Sequence, residues 1–305
     1  MSNDTSDEDI SFFRQFIDYL KWIPVLMATG ILIWATVIYM ISISQRTEGI
    51  IKIIFVTIFV TIFFMIYWSY LRVICARSTE IPEEFKLSPP IHKELAEAKN
   101  MKQCHEILKE FSKNLPIKCM NLNGSVRYCE KCKQVKPDRC HHCSSCKTCI
   151  LKMDHHCPWI NNCVSFANYK FFFLFLTYLV IGCIYVICTT FSEGYTLWKT
   201  GELHGTSFQI VSLFFMAVLL GFSTITLLVY HCYLLVKNET TIESMRKPVF
   251  RSDFNIKSYD IGFKQNFCEV FGNNPWLWCL PIFTTRGEGI DFPVEYFKSE
   301  EIPLV

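Results

Sequence analysis

Residues 129–163 read CEKCKQVKPDRCHHCSSCKTCILKMDHHCPWINNC, running from Cys129 to Cys163. Eight cysteines (Cys129, Cys132, Cys140, Cys143, Cys146, Cys149, Cys157, Cys163) and four histidines (His141, His142, His155, His156) fall in these 35 residues. Cys129-x2-Cys132, Cys143-x2-Cys146 and Cys146-x2-Cys149 each set two sulfurs on one tight turn, as a tetrahedral zinc requires. Two structural sites use eight of the twelve side chains. Spacing does not say which eight, only that a thiol and some histidines are left over. The segment is short and poor in aliphatic residues, so bound metal would supply much of its folding free energy.

Working outward, long apolar runs stand on both sides. Residues 22–43, 50–74, 171–191 and 208–235 are each long enough for about 20 residues of membrane-spanning helix. The first holds no charged residue, and Lys52 lies at the outer end of the second, where its amine can reach water. Open backbone is costly in lipid, so these runs are helices rather than strands. Composition agrees: 305 residues are 51% hydrophobic and 15% aromatic, with 27 Phe, more apolar than a soluble domain of this length. The expected fold is an all-α polytopic membrane protein, four transmembrane helices with a cysteine-rich zinc domain between the second and third.

The expected order is an N-terminal segment (1–21), helices at 22–43 and 50–74, a linker (75–128), the cysteine-rich domain (129–170), helices at 171–191 and 208–235, and a tail (236–305). Residues 1–21 carry Asp4, Asp7, Glu8 and Asp9 with no early apolar core, so the first apolar run reads as an uncleaved anchor. Lysines and arginines crowd the linker, the cysteine-rich domain and the tail, which places these parts and both termini in the cytosol. Reduced zinc thiolates require the same side. Glycan on the sequon Asn238-Glu239-Thr240 would contradict that topology. The net charge of +2 does not call for nucleic acid, and none is expected as a partner. Helices almost free of ionisable residues argue against a channel or transporter.

In the linker, Leu95, Met101, Ile107 and Leu108 give a helical pattern. In the tail, Trp276 and Trp278 suit either a membrane interface or a small core. His231 reads as a packed histidine, and Cys183, Cys188 and Cys232 as small core residues. Gly30 and Gly182 read as close helix packing, or as room for a long apolar ligand.

Asp154-His155-His156-Cys157 has two readings. A cysteine becomes nucleophilic when a base takes its proton, histidine is the natural base, and a carboxylate fixes the tautomer. Alternatively, all three ring and thiol groups are zinc ligands and Asp154 an acceptor behind them.

The run Lys136-Pro137-Asp138-Arg139-Cys140-His141-His142-Cys143, then Cys146, Cys149, residues 154–163, Asn168 and Phe171, closely resembles the DHHC family of protein S-acyltransferases. Thr240-Thr241-Ile242-Glu243 resembles that family's TTxE motif, and Asn266 its C-terminal asparagine motif. The layout, without ankyrin repeats, is most similar to the Golgi and plasma-membrane subgroup. The resemblance implies Cys157 as nucleophile, His155 as its base and Asp154 as orienter. It implies one zinc on Cys129, Cys132, His142 and Cys149, another on Cys143, Cys146, His156 and Cys163, and no metal role for Cys140 or His141. It also implies palmitoyl-CoA as co-substrate, membrane-associated proteins with accessible cysteines as acceptors, and a bilayer as surroundings. Ser165 stands where the family commonly has glycine, which changes backbone freedom near the site. A different class, a membrane-anchored zinc scaffold without catalysis, shares the metal but not an acyl-cysteine. The terminal Pro303-Leu304-Val305 suits a PDZ groove in outline.

Overall fold

The computed structural model describes residues 15–201 and 207–297. The terminal Pro303-Leu304-Val305 and the acidic N-terminal residues lie outside the described residues. Two compact units divide the chain.

The first unit holds most of the apolar helices, with Phe171–Val229 of the last two; Tyr169, Lys170 and residues 230–237 belong to the second unit. α1 (Ile23–Arg46), α2 (Gly49–Cys75), α5 (Tyr169–Thr200) and α6 (Ser207–Lys237) contain 24, 27, 32 and 31 residues. At 1.5 Å per residue each exceeds the ~30 Å of a bilayer's hydrocarbon core. These four are the described helices long and apolar enough to span a membrane. Pro24 sits in the first turn of α1, where its missing N–H costs nothing. Gly49 turns the chain from α1 into α2 at φ +61°, a region that glycine enters freely. Leu26, Ile33, Ile54, Phe64, Leu219 and Phe222 face outward and exposed, as lipid-facing side chains do.

Polar contacts join the helices. Tyr185 donates to the Phe55 carbonyl at 2.7 Å, Trp34 Nε1 donates to Gln209 at 3.2 Å, and Arg46 pairs with Glu193. Glu193 lies just beyond the apolar run of α5. A loop was expected from residue 192, yet the helix continues to Thr200. Gly182 lies against α2: a Cβ there would meet Ile66 Cδ1 at 2.8 Å, whereas Gly30 faces open space.

The second unit contains the linker, most of the cysteine-rich segment and the tail. The single linker helix expected is two, α3 (Pro89–Glu97) and α4 (Met101–Phe111). Asn100 breaks them, its side chain accepting from Gln103 N at 2.9 Å as the cap of α4. Phe85, Leu108, Val135, Leu151, Tyr259 and Phe292 meet in one buried core.

Within that unit the cysteine-rich segment is not helical. β1 (Cys119–Met120) lies antiparallel to Val249–Phe250, β2 (Tyr128–Cys129) pairs with β3 (Gln134–Val135), and β4 (His141–Cys143) with β5 (Thr148–Ile150). β6 (His155–Cys157) and β7 (Asn162–Val164) form a third hairpin, of which Cys157–Asn162 are counted with the first unit. Two cysteines at a two-residue gap need a sharp reversal. Lys133 and Lys147, each following the second cysteine of a pair, supply it at φ 55° and 58°. Two-residue strands are too short for any alternating pattern to reveal them.

The tail wraps this core. α7 (Thr241–Met245) opens on a capping box, with Glu243 N donating to Thr240 Oγ1 at 3.2 Å and Thr240 N to Glu243 at 2.9 Å. α8 (Phe263–Phe271) carries Asn266, whose amide donates to the Val236 carbonyl at the end of α6 and to Asp260, both at 2.7 Å. Trp276 is exposed while Trp278 donates to the Gly272 carbonyl at 3.0 Å and packs on Phe267. One tryptophan therefore faces out and the other fills the small core. Asn238, the sequon residue, is buried with both amide ends hydrogen-bonded, so it offers nothing to a glycan.

Candidate active site and metal centres

Two groups of three thiols and one imidazole form in the second unit: Cys129, Cys132, His142, Cys149 and Cys143, Cys146, His156, Cys163. In the first, His142 Nδ1 lies 3.5, 3.3 and 3.9 Å from the three sulfurs. In the second, His156 Nδ1 lies 3.6, 3.5 and 3.6 Å from its sulfurs. These are too long and too many for one N–H to serve. They match the edges of a tetrahedron: zinc–sulfur bonds of ~2.3 Å and zinc–nitrogen bonds of ~2.0 Å put sulfur and nitrogen ~3.6 Å apart. The residues fit two tetrahedral metal ions. Cys140 and His141 belong to neither group. Cys140 is wholly buried in the core, and burial, with Arg127 nearby, pushes the His141 pKa down to about 4.

Asp154 follows directly after the last turn of this metal segment. It is buried, and its backbone N–H bonds Val164 O at 2.9 Å across the third hairpin. Its carboxylate accepts from His155 Nδ1 at 2.7 Å, from Thr241 N at 3.0 Å and from Thr241 Oγ1 at 2.8 Å. Burial pushes this carboxyl's pKa up, but the bonds from His155 and Thr241 outweigh it and hold it below the ordinary range. With Nδ1–H given to Asp154, Nε2 is the basic nitrogen of His155.

Cys157 ends β6 and is buried. His155 and Cys157 are two positions apart on an extended strand, so their side chains leave it on the same side. Cys157 opens the segment Cys157–Asn162, which packs with the apolar helices. Tyr70 donates to the Trp159 carbonyl at 2.9 Å, and Asn162 Nδ2 to the Val73 carbonyl at 3.1 Å. Downstream, Ser165 N donates to Asn168 Oδ1 at 2.8 Å and Asn168 Nδ2 to Cys163 O at 2.9 Å. Ser165 is not among the residues at positive φ, so serine there costs no backbone strain.

Behind this stands a buried ion cluster. Arg139 donates to Glu243 at 2.9 and 2.6 Å and to Asn238 at 3.0 and 2.7 Å, and lies over the rings of Tyr259 and Phe292. Lys152 bonds Glu269 at 2.5 Å. Burial alone would lower the Arg139 pKa, but Glu243 and Glu269 hold it above its ordinary value. Of the TTxE residues, Glu243 braces this cluster through Arg139, while Thr241 grips Asp154 itself. His231, read as a packed histidine, is buried, and it lies beside Asp154 and His155. No local pattern signals either contact, because both cross more than 70 residues of chain.

The family model for DHHC palmitoyltransferases matches residues 122–248. Palmitoyltransferase ZDHHC20-A of Danio rerio is 41% identical over 279 residues, covering 90% of this chain and 78% of the relative. Palmitoyltransferase ZDHHC2 of Homo sapiens is 41% identical over 280 residues, covering 90% and 76%. The chain belongs to the DHHC palmitoyltransferase family. Within that family's domain fall both metal groups, Asp154, His155, Cys157 and Thr241, since residues 122–248 enclose every one of them.

Proposed function

We propose that this palmitoyltransferase works by two-step acyl exchange through Cys157. His155 Nε2 takes the Cys157 proton, and the thiolate attacks the thioester carbonyl of a long-chain acyl-CoA, typically palmitoyl-CoA. The tetrahedral adduct collapses with loss of the CoA thiolate, which receives the proton from His155. A protein cysteine then gives its proton to His155 and attacks acyl-Cys157, and Cys157 leaves as thiolate and is reprotonated. Each step exchanges one thioester for another, so no oxidant, reductant or nucleotide is consumed.

The observation that carries this reading is the Asp154–His155 bond on the strand that ends in Cys157. Asp154 fixes the ring and stabilises the imidazolium formed when His155 accepts the proton. The two metals are zinc in this reading, and they hold the hairpins in shape; the chemistry zinc supplies is structural. A cavity of about 240 Å³ in the second unit, lined by Arg127, Lys136, His141, Arg246 and Lys247, suits the phosphates of the CoA head group. Acceptors are membrane-associated proteins with accessible cysteines. The cationic linker and tail and the reduced thiols support a cytosolic placement of the site, in Golgi or plasma membrane.

Wild type and Cys157→Ser labelled with alkyne-palmitate test the assignment. Hydroxylamine-sensitive label on wild type and none on the variant, at equal zinc content, is expected. Equal label on both would overturn it.

A further inference from the structure

His231 on α6 is used by no step above. It is 1% exposed, and a histidine so buried in an apolar helix needs a polar reason to be there. One of its ring nitrogens lies within 4.8 Å of both a carboxylate oxygen of Asp154 and a ring nitrogen of His155. The His231 ring stands 6.1 Å from the His155 ring, tilted by 41°. Its own Nδ1 is hydrogen-bonded with the Tyr169 hydroxyl at 3.1 Å. Two imidazoles and a carboxylate are also a metal's donor set. Here, however, Asp154 and His155 close on each other at 2.7 Å, and Thr241 takes both carboxylate oxygens. The group reads as a hydrogen-bonded shell.

The hydrogen bond from Nδ1 to Asp154 fixes one point on the His155 ring. With Cβ held by the backbone and Nδ1 by Asp154, the remaining motion is a tilt about the line that joins them, and that tilt swings Nε2, the nitrogen that must meet the thiol. A second ring set against it defines the plane. We propose that His231, itself locked by Tyr169, is a positioning residue of the acyl transfer: it holds the His155 ring in the orientation that presents Nε2. This rests on the assignment of Cys157 and His155 given above. A side chain of fixed conformation behind the base limits the geometry lost to thermal motion, which is where much of a rate can be lost.

The test separates position from fold. Single-turnover acyl-enzyme formation is followed in purified protein for His231→Ala, His231→Gln, Tyr169→Phe and Asp154→Asn, and for His231→Ala combined with Asp154→Asn. His231→Ala is expected to lower the acylation rate about tenfold with half-saturation for palmitoyl-CoA within about twofold. Zinc stays at the wild-type level. His231→Gln, which keeps a partner for Tyr169 but sets no ring against His155, recovers little of the rate, and Tyr169→Phe loses severalfold. In the Asp154→Asn background, His231→Ala costs little more, because both act through the same ring. Wild-type rates in His231→Ala and Tyr169→Phe overturn the proposal. So does a His231→Ala loss that multiplies undiminished with that of Asp154→Asn. Cys157→Ser run alongside tells the failures apart: if it is unlabelled while the His231 variants are normal, only the positioning role falls.

Discussion

Arg139 shows what a single residue contributes. Its side chain is fully out of water, with Glu243, Glu269 and the Asn238 carbonyl as partners. Removing one member of a buried ion group leaves the others as uncompensated charge, at a cost of about 3–5 kcal/mol. Arg139→Met should therefore lower the melting temperature sharply, with activity lost in proportion to folded protein. Adding Glu243→Gln should return part of it, because fewer charges are then stranded. A single variant melting within about 2 °C of wild type would count against the cluster as a stabilising centre. The sequence named Glu243 and Arg139 as motif positions, but only tertiary structure pairs them, across 104 residues. Close spacing on tight turns announced a metal segment, but twelve side chains were on offer and the family resemblance, not spacing, singled out eight. The adjacency of Asp154, His155 and Cys157 left a catalytic and a metal-binding reading open, and the same resemblance chose between them. Thr241 as a ligand of Asp154 was not legible, since no spacing rule spans 87 residues.

Among elements, the apolar helices were the easiest to read, because bilayer thickness sets a length that sequence shows directly. Their ends were not. α5 runs past its apolar stretch to Thr200, and Glu193 in that extension pairs with Arg46 on another helix. The short hairpins were invisible, since strands of two or three residues are too short to carry an alternating pattern. Gly182 and Gly30 looked alike in sequence, and the structure separates them. A side chain at 182 enters the fully buried Ile66, while one at 30 meets nothing. Gly182→Leu should cost about 1–3 kcal/mol through overpacking, and Gly30→Leu far less, read as melting temperatures in one detergent. The ratio of C14, C16 and C18 transfer should stay unchanged in both. Altered chain-length selectivity in Gly182→Leu at unaltered stability would instead give this glycine a place in the acyl path.

At the scale of the molecule, the two units depend on different physics. The helical unit rests on apolar helices whose backbone bonds close within each segment, and lipid enforces this. The second unit carries all eight residues of the two groups that could hold metal, on or beside strands of two or three residues that could not hold their shape alone. Removing zinc with a strong chelator should therefore act unevenly. Acyl-enzyme formation should vanish, and the second unit should become sensitive to protease, with new cuts between residues 119 and 165. Helical circular dichroism should fall by only a minor fraction, since no metal ligand lies on α1, α2, α5 or α6. Zinc returned under reducing conditions should restore labelling of Cys157, because the ligands themselves are unchanged. If chelated protein with both metals gone kept its rate and its protease pattern, the metals would be passengers, and the Asp154–His155 geometry would have to be held by the tail alone.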